Sequence, residues 1–93
     1  MIARNWRCPL GEIDLVFTKG SLVVFCEVKA RTGSALGGPF ESVNWKKQRK
    51  LRMLAEAFLS ASGLRPEEVR FDVASVTLDA GQTPSIFVFE NAF

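Results

Sequence analysis

GEIDLVFTKGSLVVFCEVK, residues 11–29, is the stretch on which the fold turns. Ile13, Leu15 and Phe17 alternate with Glu12, Asp14 and Val16, and a second run rich in Val and Phe follows Lys19-Gly20. Period-two alternation on both sides of a glycine-containing pair predicts a β-hairpin. With Lys19 and Gly20 as the loop, Thr18 is expected to face Ser21, Asp14 to face Phe25 and Glu12 to face Glu27. Opposed residues share a face, so Glu12, Asp14, Glu27 and Lys29 are expected on one side. Ile13, Leu15, Phe17, Leu22, Val24, Cys26 and Val28 then form a wholly apolar second face. A slip of one residue would mix the two, so the hydrophobic pattern selects the register that gathers the charges.

Three carboxylates and a lysine on a few pleats are unfavourable by themselves, because like charges in direct opposition repel. A hard divalent cation resolves the conflict. Mg²⁺ takes oxygen ligands, commonly one or two carboxylates with waters and phosphates, and Asp14 and Glu27 offer such a pair. Lys29 stands where it can orient a water for attack on phosphorus. The alternative is a solvated polar face on which Lys29 merely neutralises Glu27. Val16, Val23 and Phe25 on the same side argue for partial cover and favour the first reading.

Outward from the hairpin, residues 2–7 suit a short edge strand, and Cys8-Pro9-Leu10-Gly11 reads as a turn. Residues 30–43, with Gly33, Gly37, Gly38 and Pro39, read as a long loop, either a functional one that follows a distorted nucleic acid or an idle connector. From Asn44 the period changes. Leu51, Leu54, Ala55, Phe58 and Leu59 predict a helix over 45–62, started by Ser42 or Asn44 and stopped by Gly63. Residues 69–78 and 85–89 read as strands split by a turn at Asp79-Ala80-Gly81. A helical crossover between the third and fourth strands implies that these two run parallel, giving a mixed sheet. Leu54, Phe58, Leu59, Phe71, Val73, Phe87 and Phe89 are the expected core, with Trp6 and Trp45 packed rather than free to stack on a base.

The whole is expected to be one domain, residues 1–93, since 47% of its 93 residues are hydrophobic and it carries 12 Lys+Arg against 10 Asp+Glu. There is no histidine. That excludes Ser-His-Asp and Cys-His catalysis and histidine-bound zinc, and leaves carboxylates, Lys and Cys. Cys8 and Cys26 lack paired spacing and are expected as reduced thiols. With no apolar run of membrane-spanning length and four charges before residue 15, the chain is expected to be soluble and cytoplasmic. Ten of the twelve cations but four of the ten anions fall at or before Arg52, an asymmetry that hints at a polyanionic partner.

Asp14, a hairpin and then Glu27-Val28-Lys29 resemble the active-site signature of the PD-(D/E)XK nuclease superfamily. The match is closer still to one branch of it. Arg4-Asn5-Trp6-Arg7, Gly11-Glu12-Ile13-Asp14-Leu15-Val16 and Phe25-Cys26-Glu27-Val28-Lys29-Ala30-Arg31 together resemble the YraN-like family of predicted bacterial endonucleases, which is similar to archaeal Holliday-junction resolvases. Lys46 to Leu54, Arg70-Phe71-Asp72-Val73 and Glu90-Asn91-Ala92-Phe93 also look like that family's later blocks.

The resemblance implies a restriction-endonuclease-like α/β fold, a mixed central sheet flanked by helices. It implies Asp14 and Glu27 as ligands for Mg²⁺ or Mn²⁺, with Lys29 assisting the attacking water. Members usually begin with a helix ahead of the Arg-Asn-Trp-Arg strand, and here Met1 stands just before it. The expectation is therefore a sheet lacking that helix, with a homodimer partner available to cover it. Gln48, one turn before Leu51, is expected to point toward the sheet as a further catalytic residue. Arg31, Lys46, Lys47, Arg49, Lys50 and Arg52 are expected to contact phosphates. The function implied is a metal-dependent nuclease acting on DNA, branched or damaged forms included. The alternative is a nucleic-acid-binding module that has lost activity.

Overall fold

The computed structural model describes residues 1–32, 45–78, 81 and 83–93, with the side chains of Arg31 and Thr32 outside that description. The elements are β1 (Ala3–Cys8), β2 (Gly11–Lys19), β3 (Leu22–Thr32), α1 (Trp45–Ser62), β4 (Glu68–Leu78) and β5 (Ser85–Phe89). They form a five-stranded sheet in the order β1-β2-β3-β4-β5. β3 and β4, the pair separated by α1, run parallel, and the other three pairings are antiparallel. This is a mixed sheet with one helix among the described residues, an α/β fold consistent with the restriction-endonuclease-like architecture.

The hairpin forms, two residues out of the expected pairing. Lys19 pairs with Leu22 and Val16 with Phe25, so Gly20 and Ser21 make the turn. A two-residue hairpin turn of this class needs positive φ at its first central position. Gly20 supplies it, at φ 59, where Lys19 would be strained. An even shift by itself keeps the faces, and it moves Asp14 from opposite Phe25 toward Glu27; the exception is Ile13, expected on the second apolar face and found in the core with Val16 and Phe25.

Regular alternation fails at one place. Ile13 and Val16 are both buried, 1% and 0% exposed, and on β1 both Ala3 and Trp6 pack against the same core. Three residues apart, the members of each pair would face opposite ways on an unbroken pleat. The break sits at Asn5, which has φ 51. The β1–β2 register runs from Arg4↔Leu15 to Trp6↔Ile13 and omits Asn5 and Asp14 between them. The Glu12 carboxylate meets Arg7 Nε at 3.4 Å.

Helix α1 lies on the face that carries the charges, over Val16, Val23 and Phe25. Leu54, Ala55 and Phe58 are its buried residues. Phe58 meets Trp6 and Phe25 edge to face at centroid distances of 5.3 and 5.8 Å, a favoured aromatic geometry. Close approach depends on Gly11, where a Cβ would sit 3.2 Å from Lys50 Cε and 3.5 Å from Leu54 Cδ1. The helix ends where expected, with the Gly63 N–H donating to the Leu59 carbonyl at 3.0 Å. The expected caps Ser42 and Asn44, the loop at 33–43 and the turn residues Asp79 and Ala80 lie outside the described residues.

The core is narrower than expected at its far edge. Leu54, Phe58, Phe71 and Val73 are buried, but Phe87 is 69% exposed and Phe89 only half-buried. Burial needs a second layer, and α1 packs over β2 and β3 rather than over β5. Trp45, expected to be packed, is 63% exposed at the first residue of α1. The closing segment is tied down through β4. Arg70 donates from Nε and an Nη atom to the buried Asp72 carboxylate at 2.9 and 3.0 Å, and the Asn91 N–H donates to the same carboxylate at 3.0 Å. Phe93 stacks on Phe71 at 5.2 Å. The Arg70–Val73 and Glu90–Phe93 blocks are thus two halves of one structural contact.

Candidate functional site

The β2–β3 ladder closes at Leu15↔Cys26. The next residues of the two strands are Asp14 and Glu27. In place of a continuing ladder, the Val28 N–H donates to Asp14 Oδ2 at 2.8 Å, which fixes one carboxylate oxygen and satisfies a backbone donor that the opening strands would otherwise orphan. The strained turn of the chain at Asn5 adjoins the same point. Backbone strain of this kind tends to be retained where a side chain must be aimed.

Glu27 is enclosed, with 15% of its side chain exposed. Its Oε1 receives Lys29 Nζ at 3.0 Å and Lys47 Nζ at 3.4 Å. Its Oε2 is buried and has no hydrogen-bond partner. A buried carboxylate oxygen without a partner is costly. Two ammonium groups on one oxygen set each other's titration. Burial pulls Lys29 down, but contact with Lys47 and the negative Glu27 and Asp14 outweigh it and leave Lys29 raised. Lys47 is lowered, first by contact with the Lys29 ammonium and then by burial. These shifts belong to the pair and its shared carboxylate.

Between the hairpin and the helix lies a cavity of about 150 Å³ lined by Glu12, Glu27, Lys47, Lys50, Leu51 and Leu54. The structure thus brings Asp14, Glu27 and Lys29 to one place and adds Lys47, which the sequence had assigned to phosphate contact alone. Gln48, expected as the inward polar residue, is half-buried. Lysine at the neighbouring position has the longer reach, and its apolar stem can run along the surface while its head meets Glu27. Ser75, 8% exposed, was not singled out from the sequence; it is the β4 register partner of Lys29 and so shares its face.

Lys46 and Arg49 are exposed on α1. Lys50 lies against Gly11 and lines the cavity. Arg52 is exposed as well, with its guanidinium 4.9 Å from the Phe71 ring centre and 5.9 Å from that of Phe93, a cation–π contact. The Arg31 side chain lies outside the described residues. Both cysteines are free. Burial, then the charge of Asp72, pushes the Cys26 thiol up to about 11, so it is no nucleophile at neutral pH.

Asp14 and Glu27 fit a hard, oxygen-seeking cation: two carboxylates, one with a buried oxygen lacking any partner. Among the described residues no group of three or more Asp, Glu, Cys or His side chains stands ready to enclose a metal. A two-carboxylate site suits Mg²⁺, which keeps waters and shares substrate oxygens, better than a fully protein-caged ion.

Fold and site together define an α/β protein with a charged centre where a hairpin opens beneath the start of a basic helix. The chain belongs to the uncharacterised protein family UPF0102, whose model matches residues 1–76. This is the YraN-like family that the sequence blocks resemble. A UPF0102 protein of Rhodococcus jostii strain RHA1 is 42% identical over 93 residues, covering 100% of this chain and 79% of the relative. Relatives from Moorella thermoacetica and Stutzerimonas stutzeri are 43% and 44% identical over 94 residues, each covering 100% of this chain and 78% of the relative. No helix among the described residues is long and apolar enough to cross a membrane.

Proposed function

We propose that this protein is a divalent-metal-dependent nuclease that hydrolyses phosphodiester bonds in DNA, branched or damaged forms included. One observation carries the reading. Glu27 holds a buried, unpartnered carboxylate oxygen at the place where β2 and β3 separate, with Asp14 beside it and Lys29 on its other oxygen. Asp14 and Glu27 would hold Mg²⁺ or Mn²⁺, which when bound supplies charge neutralisation at the phosphate and makes water more acidic.

The remaining roles fall to the chain itself. The Val28 N–H holds Asp14 in place. Lys29 orients the attacking water through its ammonium, which Glu27 keeps near the site. Lys47, drawn by the same carboxylate, is placed to meet the negative phosphate as substrate arrives. Lys46, Arg49 and Lys50 contribute sequence-independent attraction for the phosphate backbone. Gln48 retains the proposed role of a helix residue near the metal.

The test is cleavage of linear and four-way-branched DNA in Mg²⁺ and in Mn²⁺ by the chain and by Lys29→Ala. Cleavage that falls by about 10²-fold or more in the variant supports the assignment. Equal cleavage by both removes Lys29 from the chemistry. A second reading, a nucleic-acid-binding module without activity, is favoured by the two-ligand character of the site. It predicts salt-sensitive DNA binding that persists in chelator, with no cleavage in either metal.

A further inference from the structure

The least defended part of the molecule is β5. Among the described residues it pairs with β4 on one side and with no strand on the other. Its sequence, Ser85-Ile86-Phe87-Val88-Phe89, holds no charge and no proline. Ile86, Phe87 and Val88 are 67%, 69% and 52% exposed. An open strand edge is a template for another strand, and edges are normally blunted by charge, proline or a bulge. The opposite edge of this sheet is blunted in that way, since β1 carries Arg4 and Arg7 and is broken at Asn5.

We infer that β5 is a self-association edge, along which two copies of this chain pair their β5 strands antiparallel about a two-fold axis at Phe87. The occupant must be strand-like, because the edge offers a row of backbone donors and acceptors, and it must be uncharged to match. β5 itself meets both conditions. Phe87 lies on the helix face, in register with Ser75, while Ile86 and Val88 lie on the other face, in register with Val76 and Ala74. Centred on Phe87, the antiparallel pairing sets Phe87 against the second copy's Phe87 and Ile86 against its Val88. Aromatic meets aromatic and aliphatic meets aliphatic, on matching faces.

The flanking Glu90 is already engaged by Arg70 at 3.5 Å and faces no like charge in this register. A nucleobase stacked on Phe87 would account for one exposed side chain on one face, and would leave Ile86 and Val88 unexplained. Five residues a side is a small contact, in the range of transient interfaces that bury less than about 1,200 Å², so association is concentration-dependent. The interface is isologous and closes at two copies.

Lys29, Ser75 and Phe87 form one row across the sheet. Continued through the axis, that row reaches the second copy's Lys29 after five strand spacings, roughly 24 Å at about 4.8 Å each. Both charged centres face the same way. On the nuclease reading, which the pairing itself does not need, two scissile positions of one branched substrate become reachable.

The test is sedimentation velocity of the chain over a wide concentration range, beside Phe87→Lys and Val88→Lys. A reversible monomer–dimer equilibrium in the parent, lost in both variants with unchanged circular dichroism, supports the pairing. Because a charge on β5 could also loosen the sheet, a second measurement compares Phe87→Cys with Arg4→Cys under mild oxidation. Across a two-fold antiparallel pair the Cα separation of about 4.5–5.5 Å permits a disulfide, so Phe87→Cys should cross-link and Arg4→Cys should not. A parent that stays monomeric throughout, or equal cross-linking at both edges, overturns the inference. A monomer in which Phe87→Ala weakens binding of a single-stranded oligonucleotide would overturn it too, and would assign the ring to base stacking.

Discussion

Asn5 shows how much one backbone conformation decides. Its φ of 51 lies in the left-handed region, which Asn tolerates better than most residues with a Cβ. The consequence is that Ala3 and Trp6 both reach the core, and that the pairing lapses at Asp14. Asn5→Val should therefore cost about 1–3 kcal/mol of stability, whereas Asn5→Gly should cost little. Denaturant unfolding of the two variants checks this. Equal stability of Asn5→Val and the parent would mean that the kink is not held by residue 5. From sequence alone Asn5 gave no warning, because period-two reasoning assumes an unbroken pleat. Ile13 departs from its expected face for the same reason: the alternation that sets it opposite Val16 does not hold across Asp14.

At the scale of elements, the hairpin and α1 were legible because their apolar periods are strong and their stops are glycines. Helix α1 spans the predicted residues, and the hairpin keeps its faces over the paired residues Leu15–Lys19 and Leu22–Cys26 although its turn is Gly20-Ser21. Less legible was what the helix presents to the sheet. Gln48 and Lys47 are one position apart, about 100° around the axis, and a four-carbon stem makes up the difference. Phe87 misled for another reason, since a strand pattern does not say whether the strand lies at an edge. The contact between the helix and the hairpin is what holds Lys47 over Glu27. Leu54, 2% exposed and packed among Ile13, Val16 and Phe58, is its centre. Leu54→Ala should lower unfolding free energy by about 2–5 kcal/mol, read from the denaturant midpoint. A loss under about 1 kcal/mol would show that the helix is held elsewhere.

Across the whole molecule, charge and cover are unevenly shared. The helix and its cations sit over β2 and β3, and the charged centre opens beneath the helix start. β5 lies away from that layer with its apolar side chains exposed. The gathering of Asp14, Glu27 and Lys29 is readable from the hairpin pattern, while the register that sets Asp14 toward Glu27 rather than Phe25 is not. That placement depends on a register shift that Gly20 dictates and on a ladder that ends one residue short of Asp14. The proposed chemistry requires those two acids to act as one cation site. Calorimetric titration of Mg²⁺, and separately Mn²⁺, into the chain, Asp14→Ala and Glu27→Gln at fixed pH and salt tests it most directly. Saturable binding in the parent that is lost in both variants, with circular dichroism unchanged, is the predicted result. Equal binding in all three, or none in the parent, would contradict it.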